Sequence, residues 1–180
     1  MIKMKKLTKK EMEIIEKEKR EKTILKNNMI SDLEDYWKDI EAVRRVAIIN
    51  QDIEKLDYGN NLKKEEKEKL LNRYERIKDL SNTQIEVLRT LIHNRSDERR
   101  NITKEHLPAN AIWTNDIIWK EENLIEYITF LKELGIEKIY YTNHSTNALE
   151  VIVWLTKAGA KVIGTTKISE YNEGVIFELN

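Results

Sequence analysis

The thirteen residues 154–166, WLTKAGAKVIGTT, decide the fold. They read as the last turn of a helix, a glycine stop and a strand leaving at once. Gly159 suits the left-handed position that ends a helix, where a residue without a Cβ meets no steric penalty. Asn147 to Ala158 upstream reads as a helix with a nearly continuous apolar side, Leu149, Val151, Ile152, Val153, Trp154 and Leu155, expected to be well covered. Downstream, KVIGTTKIS reads as a strand, EYNEG as a turn and VIFEL as the last strand. So short a turn allows only an antiparallel pair.

Further upstream the same alternation continues. AIWTNDIIW holds one or two short strands, residues 121–134 form an amphipathic helix on Leu124, Ile128, Leu131 and Leu134, and Gly135 ends it. IEKIYYTN is β-branched and aromatic, hence a strand. The order over residues 110–180 is therefore β-α-β-α-β-β with a C-terminal hairpin.

The first half is punctuated differently. The first 107 residues contain one Gly, Gly59, and no Pro, and every Arg lies at or before Arg100. LTKKEM is a capping box, Thr8 with Glu11, in which Leu7 can staple Met12. The charged run behind it carries only a thin stripe of Met12, Ile15, Ile24 and Leu25, and such a helix is marginal alone. SDLE repeats the cap with Ser31 and Glu34. It starts a second helix on Leu33, Trp37, Ile40, Val43, Ala47, Ile49, Ile53 and Leu56, with Gly59 as its stop. A third helix spans 64–80 with Leu70, Leu71, Tyr74 and Ile77 inward, and a fourth starts at a Thr83/Glu86 box and carries Leu88, Leu91 and Ile92. Short connections make antiparallel packing the default. The polar stretch HNRSDERRN, residues 93–101, reads as a link rather than a nucleic-acid contact, since it lacks interleaved aromatics. The fold class is thus α+β: a helical region over 1–100, a linker over 101–109 and an α/β module over 110–180.

Composition excludes several function classes. Cysteine is absent among the 180 residues, which removes disulfides and thiolate chemistry. Net charge is zero, although residues 110–180 hold 6 Lys and 10 Asp or Glu, a net of −4 that leaves +4 in residues 1–109. No whole-chain field points to nucleic acid or a membrane. No apolar run approaches the roughly 20 residues of a membrane span, and the charged N-terminus has no signal-peptide core. A protein made in the cytoplasm is the expectation. His93, His106 and His144 have no metal-ligand spacing, and no phosphate-binding loop or nucleophile elbow occurs. The best polar cluster is NHSTN, with Asn143, His144, Ser145 and Asn147, where a strand gives way to a helix and α/β folds bind ligands. Ser145 or Thr146 could equally serve there as a helix cap. Trp113 and Trp119 flank TNDII as either a surface pair or core.

Helix, LGIEKIYYTN strand, helix, KAGAKVIGTT strand and GVIFEL strand together resemble the C-terminal half of the GNAT N-acetyltransferase superfamily. IWTND, FLKELG and YYTNHSTNALEVIVWLTKAG are similar in particular to the GNAT-like proteins of tailed-phage virions. The resemblance covers residues 110–180 and implies either a virion component or an acetyl-CoA-dependent N-acetyltransferase. In the enzymes a glycine-rich loop opening the first of these helices holds the coenzyme's pyrophosphate on backbone N–H groups. Here that place reads WKEENLIEY, with Glu121 and Glu122 where phosphate would sit. Leu155 stands at the family's frequent general-acid Tyr and Ala160 at its usual Phe, and the family's opening β-hairpins are missing. LKELGIEKIYYTNHST is also similar to the second motif of haloacid-dehalogenase-like phosphatases, but the upstream strand offers only Asp116 of the required acidic pair.

The expectation is a non-catalytic assembly protein with no cofactor, metal or membrane partner. The α/β module is its scaffold and the helices are its docking arm toward other protein subunits. Met12, Ile15, Trp37, Trp113 and Trp119 are the candidate contact residues, although helical spacing makes Trp37 core first. If the chain is instead an acetyltransferase, acetyl-CoA is the cofactor and Asn143, His144, Ser145 and Asn147 supply its polar groups.

Overall fold

The computed structural model describes residues 7–49, 64–99, 107–115, 121–142, 148–169 and 172–179. Three helices come first: α1 (Lys9–Ile49), α2 (Lys64–Ile77) and α3 (Asn82–Arg99). The module follows as β1 (Ala111–Thr114), α4 (Glu121–Glu133), β2 (Lys138–Tyr141), α5 (Ala148–Lys157), β3 (Ala160–Ser169) and β4 (Asn172–Leu179).

α1 begins where its capping box places it. The Thr8 N–H donates to Glu11 Oε2 at 2.7 Å and the Glu11 N–H to Thr8 Oγ1 at 3.3 Å. These bonds hold the Glu11 carboxyl below its usual pKa. The second cap is not used: α1 runs unbroken through Ser31. Residues 24–30 contain neither Gly nor Pro. Lys22, Lys26, Ile30, Leu33 and Trp37 share one helix face, so a break would throw Ile30 and Leu33 out of register. Residues 50–63, with Ile53, Leu56 and Gly59, lie outside the described residues. α2 runs antiparallel to α1, as Asp32–Arg76 (2.9 Å), Asp35–Arg73 (3.4 Å) and the Tyr36–Tyr74 ring contact (6.1 Å) show. Ile77 is buried, but Leu71 and Tyr74 are exposed rather than inward.

α3 is capped two residues earlier than expected. The Ser81 N–H donates to Gln84 Oε1 at 3.0 Å and the Gln84 N–H to Ser81 Oγ at 3.1 Å. The chain turns immediately after Ile77, so the first available box closes the helix. Thr83 is buried inside it, and Glu86 pairs instead with Arg89 at 3.0 Å. Of the expected link, residues 93–99 are helical, which corrects that reading. Ser and Asp are no bar to a helix whose neighbouring side chains are anchored.

The sheet has the order β1-β2-β4-β3, with β1 and β2 parallel and the other pairs antiparallel. The hairpin pairs Ser169 with Asn172, so Asn172 to Gly174 belong to the strand and not to the turn. α4 ends in a Schellman motif: the Ile136 N–H donates to Leu131 O at 2.9 Å, the Gly135 N–H to Lys132 O at 3.1 Å, and Gly135 takes φ 72°. Gly159 ends α5 at φ 93°, and the opening motif does what its residues foretold.

Register separates the two faces. Ile112, Ile139 and Phe177 stand side by side and are fully buried, in one core with residues of α3, α4 and α5. Trp113, Tyr140 and Ile176, one residue on, point to the other face and are half-buried. Ile30, Leu33, Val87, Leu88 and Leu91 of the helical region join the same core as Leu124, Leu131 and Leu155 of the module. The helices and the sheet thus share one hydrophobic core. α5 is less covered than expected. Val151 and Leu155 are buried, whereas Leu149 is 76% and Val153 49% exposed. A helix in an outer layer buries one face only, and at 100° per residue these two point away.

Candidate functional site

Two places gather side chains of interest. The first is the C-terminal end of the parallel pair. β1 and β2 finish together, and the Thr142 N–H extends their ladder by donating to Thr114 O at 3.0 Å. The Trp113 indole crosses to Thr142, its Nε1–H donating to Oγ1 at 2.7 Å, and Thr142 is fully buried. On the other side β4 presses close. A Cβ built on Gly174 would lie 2.0 Å from Tyr141 O, so glycine is what permits this approach. α4 opens with Glu121 and Glu122 as its first two residues. Asn143, His144, Ser145 and Asn147 lie outside the described residues, as does Trp119.

Around this end the helical region takes a direct part. Asn94 of α3 is buried, and its amide matches the free edge of β1. Nδ2 donates to Trp113 O at 2.9 Å, and Oδ1 accepts from the Trp113 N–H at 2.9 Å. One side chain thereby replaces the hydrogen bonds of a neighbouring strand. Nothing in the sequence around Asn94 announces this; the signal is only an amide on the inward face of a helix. Tyr127 of α4 is the converse case. Its hydroxyl is buried without a hydrogen-bond partner, and burial pushes its pKa up.

The second place is a cleft of about 370 Å³ between α1 and the α4–β2 turn. Ile15, Lys19 and Lys22 form one wall, and Asn110, Ile136, Glu137 and Leu179 lie opposite. Lys19 Nζ reaches Glu137 Oε1 at 3.3 Å, and Asn110 Nδ2 donates to Glu137 Oε2 at 2.6 Å. Burial works to raise the Glu137 pKa. Hydrogen bonds from Asn110 and Lys19, with the Lys19 and Lys138 charges, outweigh it and hold the carboxyl below the usual range. Below the cleft, Lys26 is buried and its Nζ donates to Ala109 O at 2.5 Å. Burial, then the Arg95 charge, lowers its pKa. Arg95 itself donates to Asn27 Oδ1.

Met12 and Ile15 are exposed at 47% and 39%. Trp37 packs half-buried on the core with the Arg89 guanidinium 5.7 Å above its ring, as its spacing favoured. Trp113 is tied down by three hydrogen bonds and stands on the sheet face away from the core. Among the described residues no group of His, Asp or Glu could hold a metal ion, and no helix is long and apolar enough to cross a membrane.

Residues 102–176 match a family model described as a domain of unknown function, DUF7698. No curated protein and no solved structure matches. The matched stretch takes in the sheet up to Ile176 but leaves out α1, α2 and α3, and with them Asn94.

Proposed function

We propose that the protein is a non-catalytic docking component. Its α/β module serves as a rigid scaffold, and α1 is the arm that engages other protein subunits of a larger assembly. One observation carries this reading. Met12, Ile15, Lys19, Lys22, Lys26, Ile30, Leu33 and Trp37 follow at three- and four-residue steps on one face of α1. On that face Lys26, Ile30 and Leu33 are buried and Trp37 is half-buried, whereas Met12 and Ile15 toward the N-terminus are exposed. Apolar residues in register with a buried seam, on a helix that is marginal alone, suit a partner's surface. The resemblance to GNAT-like proteins of tailed-phage virions agrees with such a role and makes incorporation into a virus particle its natural setting.

The strand-end site supports the same reading. A coenzyme pyrophosphate seeks N–H groups at a helix entrance with no negative charge nearby. Glu121 and Glu122 favour the helix itself but repel phosphate. Light scattering coupled to size exclusion tests the docking role. The chain is 21.5 kDa, and the expected particle is a multiple of that mass. Replacing both Met12 and Ile15 by Glu should return it to 21.5 kDa. A wild-type chain that stays monomeric at every concentration and captures no partner in a pull-down contradicts the docking role.

A further inference from the structure

We propose that residues 9–25 of α1 form a strap that closes over the cleft and opens as a unit, with its boundary at Lys26. No residue from 7 to 25 is buried, whereas Lys26, Ile30 and Leu33 on the same helix face are. The transition is abrupt, and it falls where the helix stops touching the shared core. Among the described residues two contacts hold the strap down. One is the Lys19–Glu137 ion pair, whose side chains are 64% and 45% exposed. The other is the Lys22 stem on Gly135, close enough that an added Cβ would stand 3.1 Å from Lys22 Cβ. An exposed ion pair shifts an equilibrium by less than about tenfold. The core beneath is held by many buried side chains, so the strap belongs to the least stable end of the molecule.

At its far end the Thr8–Glu11 box satisfies the N–H groups of Thr8 and Glu11. Opening uncovers Asn110, Ile136, Glu137 and Leu179, which form the wall facing the strap. The device is thus a switch between a strap seated on its own cleft and a strap lifted away from Gly135 and Glu137; Met12 and Ile15 are exposed in the closed state already. It stands whether or not α1 has a partner, because it concerns the isolated chain.

The test uses the full chain. Hydrogen exchange should show a step at Lys26, with amides of residues 12–25 at least roughly 100-fold less protected than those of residues 28–37. Because the chain has no cysteine, spin labels at E18C and K132C report the width of the cleft alone. Raising salt from about 0.05 M to about 1 M shortens the screening length to ~3 Å and should enlarge the longer-distance population at least threefold. K19E should enlarge it without added salt, and K19E with E137K should restore the closed distance. Uniform protection from Met12 to Trp37, or a single distance indifferent to both salt and K19E, overturns the strap.

Discussion

Replacing Asn94 probes a side chain that ties the helical region to the sheet edge. Its amide makes two hydrogen bonds, both at 2.9 Å, to the N–H and C=O of Trp113, and the side chain is buried. Asn94→Ala leaves that donor and acceptor without partners. Each unpaired buried group costs about 1–3 kcal/mol. Water entering at the edge recovers part of this, so the expected loss is about 2–4 kcal/mol. At ~2–4 °C per kcal/mol for a chain of this size, Tm should fall roughly 5–15 °C. Asn94→Asp separates the two bonds. The carboxylate still accepts from the N–H but confronts Trp113 O with a second acceptor, so at neutral pH it should be as damaging as Ala. Once protonated it regains a donor. The N94D folded pKa is therefore raised, and stability relative to wild type should recover as pH falls through it. Urea unfolding followed by tryptophan fluorescence measures both variants. An N94A midpoint within error of wild type, or an N94D deficit that does not shrink in acid, refutes the edge-cap role.

Gly174→Ala should destabilise by at least about 1–3 kcal/mol, since the new Cβ meets backbone at Tyr141 O; Gly164→Ala, with open space around it, is the control and should be near neutral in the same urea titration. Tyr127→Phe should be neutral or stabilising by up to about 2 kcal/mol, because it removes a buried hydroxyl that has no partner, and a clear loss of stability would reveal a hidden partner. The depressed Glu137 pKa gives a pH dependence with a definite sign. Its contribution is complete above the ordinary value of 4.5 and disappears as pH falls through the lower folded value. Subtracting the acid limb of Glu137→Gln from that of wild type should isolate it, and coincident limbs would argue against the contact.

Much of the module was legible because its punctuation is local. Gly135 and Gly159 stop helices through backbone conformation alone, and strands between them have nowhere else to go. The helical region was harder to read, since Ser31/Glu34 and Thr83/Glu86 fit the pattern of a cap that only a chain reversal makes useful. Whether the chain reverses depends on what Ile30 and Leu33 find to pack against, which is a tertiary fact. The same holds for α5, where Leu149 and Val153 look like core until the single sheet face is counted. Around the candidate site, the end of β2 and the start of α4 could be read from the sequence as element boundaries. Asn94 could not be read, because an isolated Asn on a helix carries no pattern that distinguishes a clamp from a solvated side chain.

The claim that the module is a scaffold without coenzyme is tested most directly by unfolding the protein in the presence of acetyl-CoA. A ligand at 100 times its Kd stabilises by about 2.7 kcal/mol, well above the error of a thermal melt. The account predicts superimposable curves with and without acetyl-CoA. A concentration-dependent rise in Tm would contradict it.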